Sequence, residues 1–347
     1  MKTLTKIVAG SLMATFGLST AALAANVDGP DVFWKISAWG KPRAYTAGMD
    51  LLSKRVAEET GGKFKVKVFY GGQLSKSKEN LDGLKVNAFE GAAFCNFYHP
   101  GKNPAYMVFS LPFLPLGNPK VDRYVRSKMM SHPAMMADMA RWNAIPYVSG
   151  LLPQYELVGK GKPPTTLADW KGMRVRAGGG LGEAMKKLGA VKTTLPAGET
   201  STAFQRGALD AVAFPFTYAH VAFKTAEVAD WYTSNLAPGT SECSWALNKT
   251  AFGKLPKQYQ DLLMNLKGEV MDAEQAAYAA QDKKNLPKFK KMMKEIVYDA
   301  ATLKAFHTAA GKPVWDEWIA ANKGKFDSQG VFDAIWAYAK EAEAKMK

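Results

Sequence analysis

The spacing of hydrophobic and polar residues predicts an α/β unit in the first part of the chain. Within residues 63–69, phenylalanine and valine alternate with lysine, a period of two that is typical of a half-buried strand. Apolar runs at 32–38 and 91–95 predict two further strands. Apolar positions at helical spacing within 45–56, and helix-like sequence over about 77–87, lie between them. This strand–helix alternation predicts a largely parallel sheet.

The same alternation returns later in the chain. Before it, a helix is predicted over about 120–142 and a strand over 147–152. The second unit has predicted strands at about 173–177, 191–195 and 210–214, with helices near 181–188 and 201–208. A further strand is predicted over 241–247. From Pro256 to about Ile296 the pattern is helical, with an interruption at Pro287, and a helix of this length is expected to span two domains.

The stretch 172–183 joins a strand, a glycine turn and the start of a helix. Apolar residues of 173–177 alternate with Arg174 and Arg176, so the two arginines lie on one face of a half-buried strand. Three glycines follow, and the helical pattern after them ends at Gly189, where glycine is favoured as a terminator. Arg176 is therefore expected at the carboxyl end of a strand, just before a helix.

That position suits an anion. Ligands of open α/β sheets bind at the carboxyl ends of the strands, and a helix N-terminus offers free N–H groups with a partial positive charge. The planar guanidinium of Arg176 matches a carboxylate through two parallel hydrogen bonds. Local sequence alone leaves two interpretations of Arg176 open, a carboxylate clamp and a solvated strand residue.

The N-terminus has the pattern of a secretory signal over residues 1–24. Lys2 and Lys6 precede a short apolar run, and 22–24 is an A-x-A cleavage site. Cleavage would lower the formal charge from +15 to +13. The lysines are scattered and form no dense basic run, so we expect no nucleic-acid partner. No later stretch is long and apolar enough to span a bilayer.

No catalytic or metal-binding pattern is present in the sequence. The four histidines lack metal-ligand spacing, and the glycines after Arg176 match neither a dinucleotide fingerprint nor a P-loop. We therefore expect no enzyme activity, no cofactor and no metal site. Cys95 and Cys243 could pair in an oxidising compartment, but two distant cysteines do not establish a disulfide.

Several motifs, in order, resemble the periplasmic solute-binding proteins of tripartite ATP-independent (TRAP) transporters, in the C4-dicarboxylate-binding superfamily. The resemblance runs from about Trp34 to Pro256. Its motifs are Thr60–Phe69 with Gly72–Leu74, Leu111–Leu114, Leu167–Arg176, Leu188–Ala190, Phe204–Ala211 and Asn248–Lys249. Each is weak alone, and their joint order and spacing carry the resemblance.

The resemblance implies a periplasmic binding protein fold, in which two α/β domains joined by hinge strands and a long domain-spanning helix close on a ligand. The implied domains are 26–152 with about 241–281, and 153–240 with about 282–347. It also implies that Arg176 binds the ligand carboxylate and that TRAP membrane subunits receive the ligand in the periplasm. We expect a monomer. Arg174 is given no role.

Two positions depart from the family pattern. Many members have a second arginine about twenty residues before the first, where this chain has Glu156. Many also have an asparagine where this chain has Phe214. Both changes favour a ligand with one carboxylate and an apolar or aromatic body. Glu156 could also meet an amine or hydroxyl of the ligand, which keeps an amino or ammonium acid open.

Further side chains are expected near the edges of the pocket: Trp39, Asn96, Phe97, Tyr155 and Trp245. Aromatic residues at such positions are equally typical of a hydrophobic core. The main hypothesis is delivery of a small organic acid to a transporter. The alternatives are binding of a C4-dicarboxylate or amino acid by the same fold, a ligand-presenting sensor module, and a secreted two-domain enzyme.

Overall fold

A computed structural model describes residues 26–346, so the predicted signal segment 1–24 lies outside the described residues. The strands are β1 (Val32–Ser37), β2 (Phe64–Phe69), β3 (Gly91–Cys95), β4 (Ala144–Ser149), β5 (Tyr155–Gly159), β6 (Arg174–Arg176), β7 (Val191–Thr193), β8 (Ala211–Pro215), β9 (Trp231–Thr233), β10 (Cys243–Asn248) and β11 (Lys294–Ile296). The helices are α1 (Ala47–Glu59), α2 (Asn80–Lys85), α3 (Pro119–Met129), α4 (Pro133–Ala140), α5 (Gly179–Lys187), α6 (Ala197–Gln205), α7 (Tyr218–Ala222), α8 (Lys249–Lys254), α9 (Lys257–Met292), α10 (Ala300–Ala310), α11 (Lys312–Asn322) and α12 (Ser328–Lys345).

The strands form two sheets, one in each domain. The first has the order β2-β1-β3-β10-β4, in which β1 runs parallel to β2 and β3, and β10 runs antiparallel to β3 and β4. The second has the order β11-β9-β5-β8-β6-β7, in which β6 is parallel to β7 and β8 while β5 is antiparallel to β8 and β9. The predicted α/β fold with two domains is thus confirmed.

Segments that cross between the sheets run at 150–154 and 234–242, because β4 and β10 belong to the first sheet while β5 and β9 belong to the second. Helix α9 spans both domains. It packs against α1 of the first domain and α7 of the second. The Tyr278 hydroxyl donates to the Gly150 carbonyl, and Asp282 accepts from the backbone and hydroxyl of Thr217.

Several predicted elements differ from the structure. Helix α9 continues through Pro287. The proline costs one backbone hydrogen bond, but Asn285 and Phe289 on either side of it are buried, and their packing holds the helix in place. The predicted helix 120–142 is two helices that break before Pro133, whose ring disfavours helical geometry at the preceding residue. The short strands β5, β9 and β11 had no periodic signal strong enough to predict them.

The C-terminal helix lies on the first domain, whereas we expected residues from about 282 to the end on the second. Strand β11 pairs with β9 of the second sheet, but α12 packs against α3. Phe332, Ile335 and Ala339 share a hydrophobic cluster with Val121 and Val125 of α3. The apolar stripe of the last helix therefore returns the chain to the domain where it began.

Cys95 and Cys243 form a disulfide that closes a loop with a sequence separation of 148 residues. They are direct neighbours on the antiparallel strands β3 and β10. The bond joins the end of one strand to the start of the strand that returns from the second domain. The sequence left open whether Cys95 and Cys243 pair, and the register of β3 and β10 places them side by side.

Candidate ligand-binding site

A narrow cavity lies between the two domains, where the carboxyl ends of β1, β3 and β6 meet. Its walls contain eight aromatic residues and two arginines, and no aspartate or glutamate of residues 26–346 lines it. The lining residues are Trp39, Arg43, Tyr45, Cys95, Phe97, Tyr98, Leu152, Tyr155, Arg176, Ala197, Phe214, Pro215, Tyr218, Ala219, Phe223 and Cys243. Five of the eight predicted site residues are among them: Trp39, Phe97, Tyr155, Arg176 and Phe214.

Arg176 ends β6 and is buried, with 1% of its surface exposed. Its Nε and Nη2 donate to the carbonyl of Leu195 at 3.1 and 2.9 Å, and its Nη1 donates to the carbonyl of Ala213 at 2.9 Å. Backbone carbonyls on both sides of β6 thus hold the guanidinium. Arg174, on the same strand, is exposed and forms a two-bond ion pair with Asp210.

The Arg176 guanidinium has no acidic partner within the described chain. Its Cζ lies 4.4 Å from the ring centroid of Phe214 and 5.5 Å from that of Phe97. Three of the five N–H groups of an arginine are used by the backbone carbonyls, which leaves one on each terminal nitrogen. A buried charge without a partner is costly, and ring faces offset only part of that cost. The site therefore favours an anion.

The glycines after Arg176 allow close approach between the domains. A Cβ at Gly178 would lie 2.3 Å from the Phe97 ring of the first domain. Gly179 has φ +53°, and a Cβ there would lie 2.3 Å from the Ser110 hydroxyl. Helix α5 starts at Gly179, so its positive end lies beside the arginine. The glycine run therefore permits the close packing of the two domains beside Arg176.

Aromatic side chains of both domains face each other across the cavity. In the first domain the Trp39 ring stacks on Tyr45 at 5.8 Å and meets Tyr98 edge-on at 5.7 Å. In the second, Phe214 stacks on Phe223 at 5.4 Å. The Tyr98 hydroxyl accepts a hydrogen bond from a second-domain backbone N–H, that of Ala197, at 2.7 Å. The described arrangement is therefore closed.

The closed cavity is small. Its volume is about 30 Å³. A single buried water needs about 10–15 Å³, so the closed cavity has room for about two waters. A larger ligand can enter only when the domains separate. Such opening is consistent with a hinge at the two crossing segments.

Three predicted site residues do not line the cavity. Glu156 is buried, but its carboxylate accepts hydrogen bonds from the Thr233 hydroxyl at 2.5 Å and the Ala237 backbone N–H at 2.9 Å. Burial raises the pKa of Glu156 to about 7, although both of these hydrogen bonds lower it. The carboxylate thus anchors the crossing segment after β9, and the expectation that it meets the ligand is not supported.

Asn96 and Trp245 also have local structural partners. The Asn96 amide donates to the Tyr106 carbonyl, and its oxygen accepts from the Phe97 backbone N–H. The indole of Trp245 donates to Glu274 at 2.9 Å and stacks behind Tyr45 at 5.1 Å. Asn96 therefore shapes the turn that places Phe97, and Trp245 supports the wall from the core side.

Sequence reasoning missed part of the cavity wall. The missed residues include Arg43, Tyr45, Tyr98, Tyr218 and Phe223. Tyr98 adjoins the predicted Phe97, and Arg43 follows β1 by a few residues, so position after a strand was the available signal for both. Tyr218 follows the end of β8 and carries the same signal, whereas Phe223 lies beyond the helix α7 that begins at Tyr218 and gave no such signal.

The sequence profile of the bacterial extracellular solute-binding proteins of family 7 matches residues 37–322. The chain belongs to this family. Among described proteins it is similar to the monocarboxylate 2-oxoacid-binding periplasmic protein of Nostoc sp., with 27% identity over 319 residues that cover 86% of each chain.

Solved structures of TRAP solute-binding proteins share the fold. One from a marine metagenome, specific for aromatic acid ligands and bound to 3-hydroxybenzoate, has a TM-score of 0.79 and 18% identity, and covers 90% of this chain and 99% of its own. Another, from Rhodoferax ferrireducens with copurified benzoate, has a TM-score of 0.77 and 19% identity, covering 91% and 100%.

Family membership makes this protein an extracellular solute-binding protein, whose role is binding rather than catalysis. The predicted family is thereby confirmed. Between residues 26 and 346, no helix combines the length and apolar character needed to cross a membrane.

The buried Glu156 predicts a specific pH dependence of stability. Its pKa is raised from 4.5 in the unfolded chain to about 7 in the folded one. Its stabilising contribution is therefore fully present below about pH 4.5 and is lost as the pH rises through about 7. Glu156→Gln keeps a neutral group at all pH values. Its free energy of unfolding, relative to wild type, should rise by about 2 kcal/mol between pH 5 and 8.

Chemical denaturation at both pH values measures this change. Glu227→Gln, on the surface of the same domain, is the matched control for the effect of the substitution itself. A Glu156→Gln difference that does not change with pH would show that the carboxyl is ionised throughout.

Proposed function

We propose that this receptor captures a small monocarboxylate with an apolar or aromatic body and delivers it to its TRAP membrane subunits. The observation that carries the proposal is the buried Arg176 guanidinium, in a cavity walled by rings. Among residues 26–346 it has no acidic partner, and two of its N–H groups are unused. One carboxylate would satisfy both the charge and the free donors. The remainder of the ligand would meet mainly apolar surface.

Apolar contact gives the body of the ligand its share of affinity. A phenyl-sized group that buries about 100 Å² gains roughly 2.5 kcal/mol, before ordering costs are subtracted. The names of the relatives support this class, since one is a monocarboxylate 2-oxoacid-binding protein and two others hold 3-hydroxybenzoate and benzoate. They describe those proteins, and their common feature is one carboxylate on a compact body.

A short dicarboxylate fits the cavity less well. With one carboxylate on Arg176, succinate would place its second charge among rings and phenol hydroxyls, where the loss of hydration is poorly offset. Glu156 plays no part in excluding dicarboxylates, because its carboxylate is held by Thr233 and Ala237. The aromatic wall itself, including Phe214, is the proposed basis of selection.

Capture takes place after export in this proposal. The signal over residues 1–24 would be cleaved after Ala24, and the mature chain would meet its ligand in the periplasm. The positive formal charge of the chain would help to gather anionic ligands over long range. Detection of the mature N-terminus by mass spectrometry of periplasmic protein checks the cleavage site.

A thermal-shift screen tests the ligand class. Benzoate, 3-hydroxybenzoate and 4-methyl-2-oxopentanoate should raise the melting temperature more than succinate, malate and fumarate at equal concentration, because ligand binds only the folded state. Phenylmethanol, which lacks the carboxylate, is the control and should give no shift. A largest shift with a C4-dicarboxylate would overturn the proposed class and leave the Arg176 anchor standing.

The two arginines of β6 provide a matched test of the anchor. Arg176→Ala should weaken binding of the best acid by at least about 100-fold, since an unpaired buried carboxylate costs several kcal/mol. Arg174→Ala, two residues away on the exposed side, should change the affinity less than twofold. Arg176→Lys should recover only part, because an ammonium cannot form the two-bond fork.

Isothermal calorimetry measures all three variants, after thermal melts establish that each is folded. A loss below about threefold in Arg176→Ala would contradict the anchor, as would equal losses in the two alanine variants.

A further inference from the structure

A second arginine, Arg43, lies in the cavity wall without an acidic partner among residues 26–346. Its Nη1 donates to the carbonyls of Trp39 and Lys41 at 2.8 and 3.0 Å. Its Nε is buried and has no hydrogen-bond partner, and its Nη2 makes no hydrogen bond within the described chain. Arg43 therefore keeps three N–H groups that the protein does not use.

Arg43 and Arg176 lie at opposite ends of one aromatic column. The Arg176 Cζ is 4.4 Å from the Phe214 ring, Phe214 stacks on Phe223 at 5.4 Å, and the Arg43 Cζ is 5.5 Å from the Phe223 ring. The closed cavity of about 30 Å³ is too small for a flat acid, but such an acid, with its carboxylate on Arg176, would lie along this column when the domains close less tightly around it. Its far end would then point towards Arg43.

Arg43 also separates the cavity from the outside. Arg43, Ala197 and Phe223 line both the inner cavity and an outer cleft with a volume of about 380 Å³. Arg43 belongs to the first domain and the other two to the second, so this partition forms only when the domains close. The rings of Trp39, Tyr45 and Phe223 surround the guanidinium and hold it at the mouth.

We propose that Arg43 is a specificity-determining residue that binds a neutral hydrogen-bond acceptor, a hydroxyl or carbonyl oxygen, at the end of the ligand opposite the carboxylate. The inference rests on the proposed function and deepens it, because it names a second required group on the acid. An acceptor there would satisfy the buried Nε, which otherwise loses its hydration on closure without compensation. Contact with Arg43 at the mouth would also couple recognition to domain closure.

Paired ligands separate this role from a structural one. The pairs are benzoate with 4-hydroxybenzoate, and hexanoate with 6-hydroxyhexanoate, which differ only in the distal oxygen. Wild type should bind the hydroxylated member of at least one pair about tenfold more tightly, as expected for a hydrogen bond from a charged donor. In Arg43→Met that preference should fall to within twofold, while the unsubstituted acid changes less than threefold.

Lys41→Met is the control. Lys41 is an exposed cation that lines the outer cleft but not the inner cavity, so this substitution should leave every affinity ratio unchanged. Arg43→Lys keeps a charge at the mouth without the Nε donor. We expect its preference for the hydroxylated acid to fall from about tenfold to less than about threefold. The ratio within a pair is the readout, since a merely structural role would weaken both members equally.

The outcomes distinguish the two proposals. A wild-type preference that survives in Arg43→Met overturns the role of Arg43, and so does the absence of a preference in every pair that binds. If neither pair binds at all, the proposed ligand class and the role of Arg43 fail together. If only the aliphatic pair binds and its ratio depends on Arg43, the inference holds and the aromatic part of the proposed class is wrong.

Discussion

The rest of the site depends on one buried guanidinium, that of Arg176, which finds no counter-charge in the part of the chain that the structure describes. Arg176 is held by the carbonyls of Leu195 and Ala213 and covered by the rings of Phe97 and Phe214. These contacts fix its position without neutralising it. The surrounding fold thus keeps an uncompensated positive charge in a closed space, and a ligand carboxylate would neutralise it. An internal acid would remove the need for a ligand.

Domain closure brings the two halves of this environment together. Phe97 comes from the first domain and Arg176 from the second, and the small Gly178 permits their approach. Helix α9 and the crossing segments keep the domains in register, while the disulfide fixes β3 to β10 beside the cavity. A binding site assembled from both domains can exclude water only when closed, which strengthens every charge interaction inside it.

Local patterns predicted the features that depend on local sequence. The alternation over 173–177 predicted the strand that ends at Arg176, and strand ends located Trp39 and Phe97. The same periodicity puts Arg174 and Arg176 on one face, so it could not predict that only Arg176 is buried. Distant partners make that difference: Asp210 holds Arg174 at the surface, and the Leu195 and Ala213 carbonyls hold Arg176 inside. Glu156 was misjudged, since its partners, Thr233 and Ala237, lie far away in sequence. The same limit explains why the packing of α12 on the first domain was not predicted. It also explains why Arg43 was missed as a site residue, since Phe223, one of the rings around it, belongs to the other domain.

A crystal structure with bound benzoate tests the central claim most directly. The account predicts that both carboxylate oxygens accept hydrogen bonds from the terminal nitrogens of Arg176, at about 2.7–2.9 Å, with the ring along Phe214. A carboxylate bound elsewhere in the cleft, or an Arg176 whose two free N–H groups are occupied by a protein acid, would contradict it.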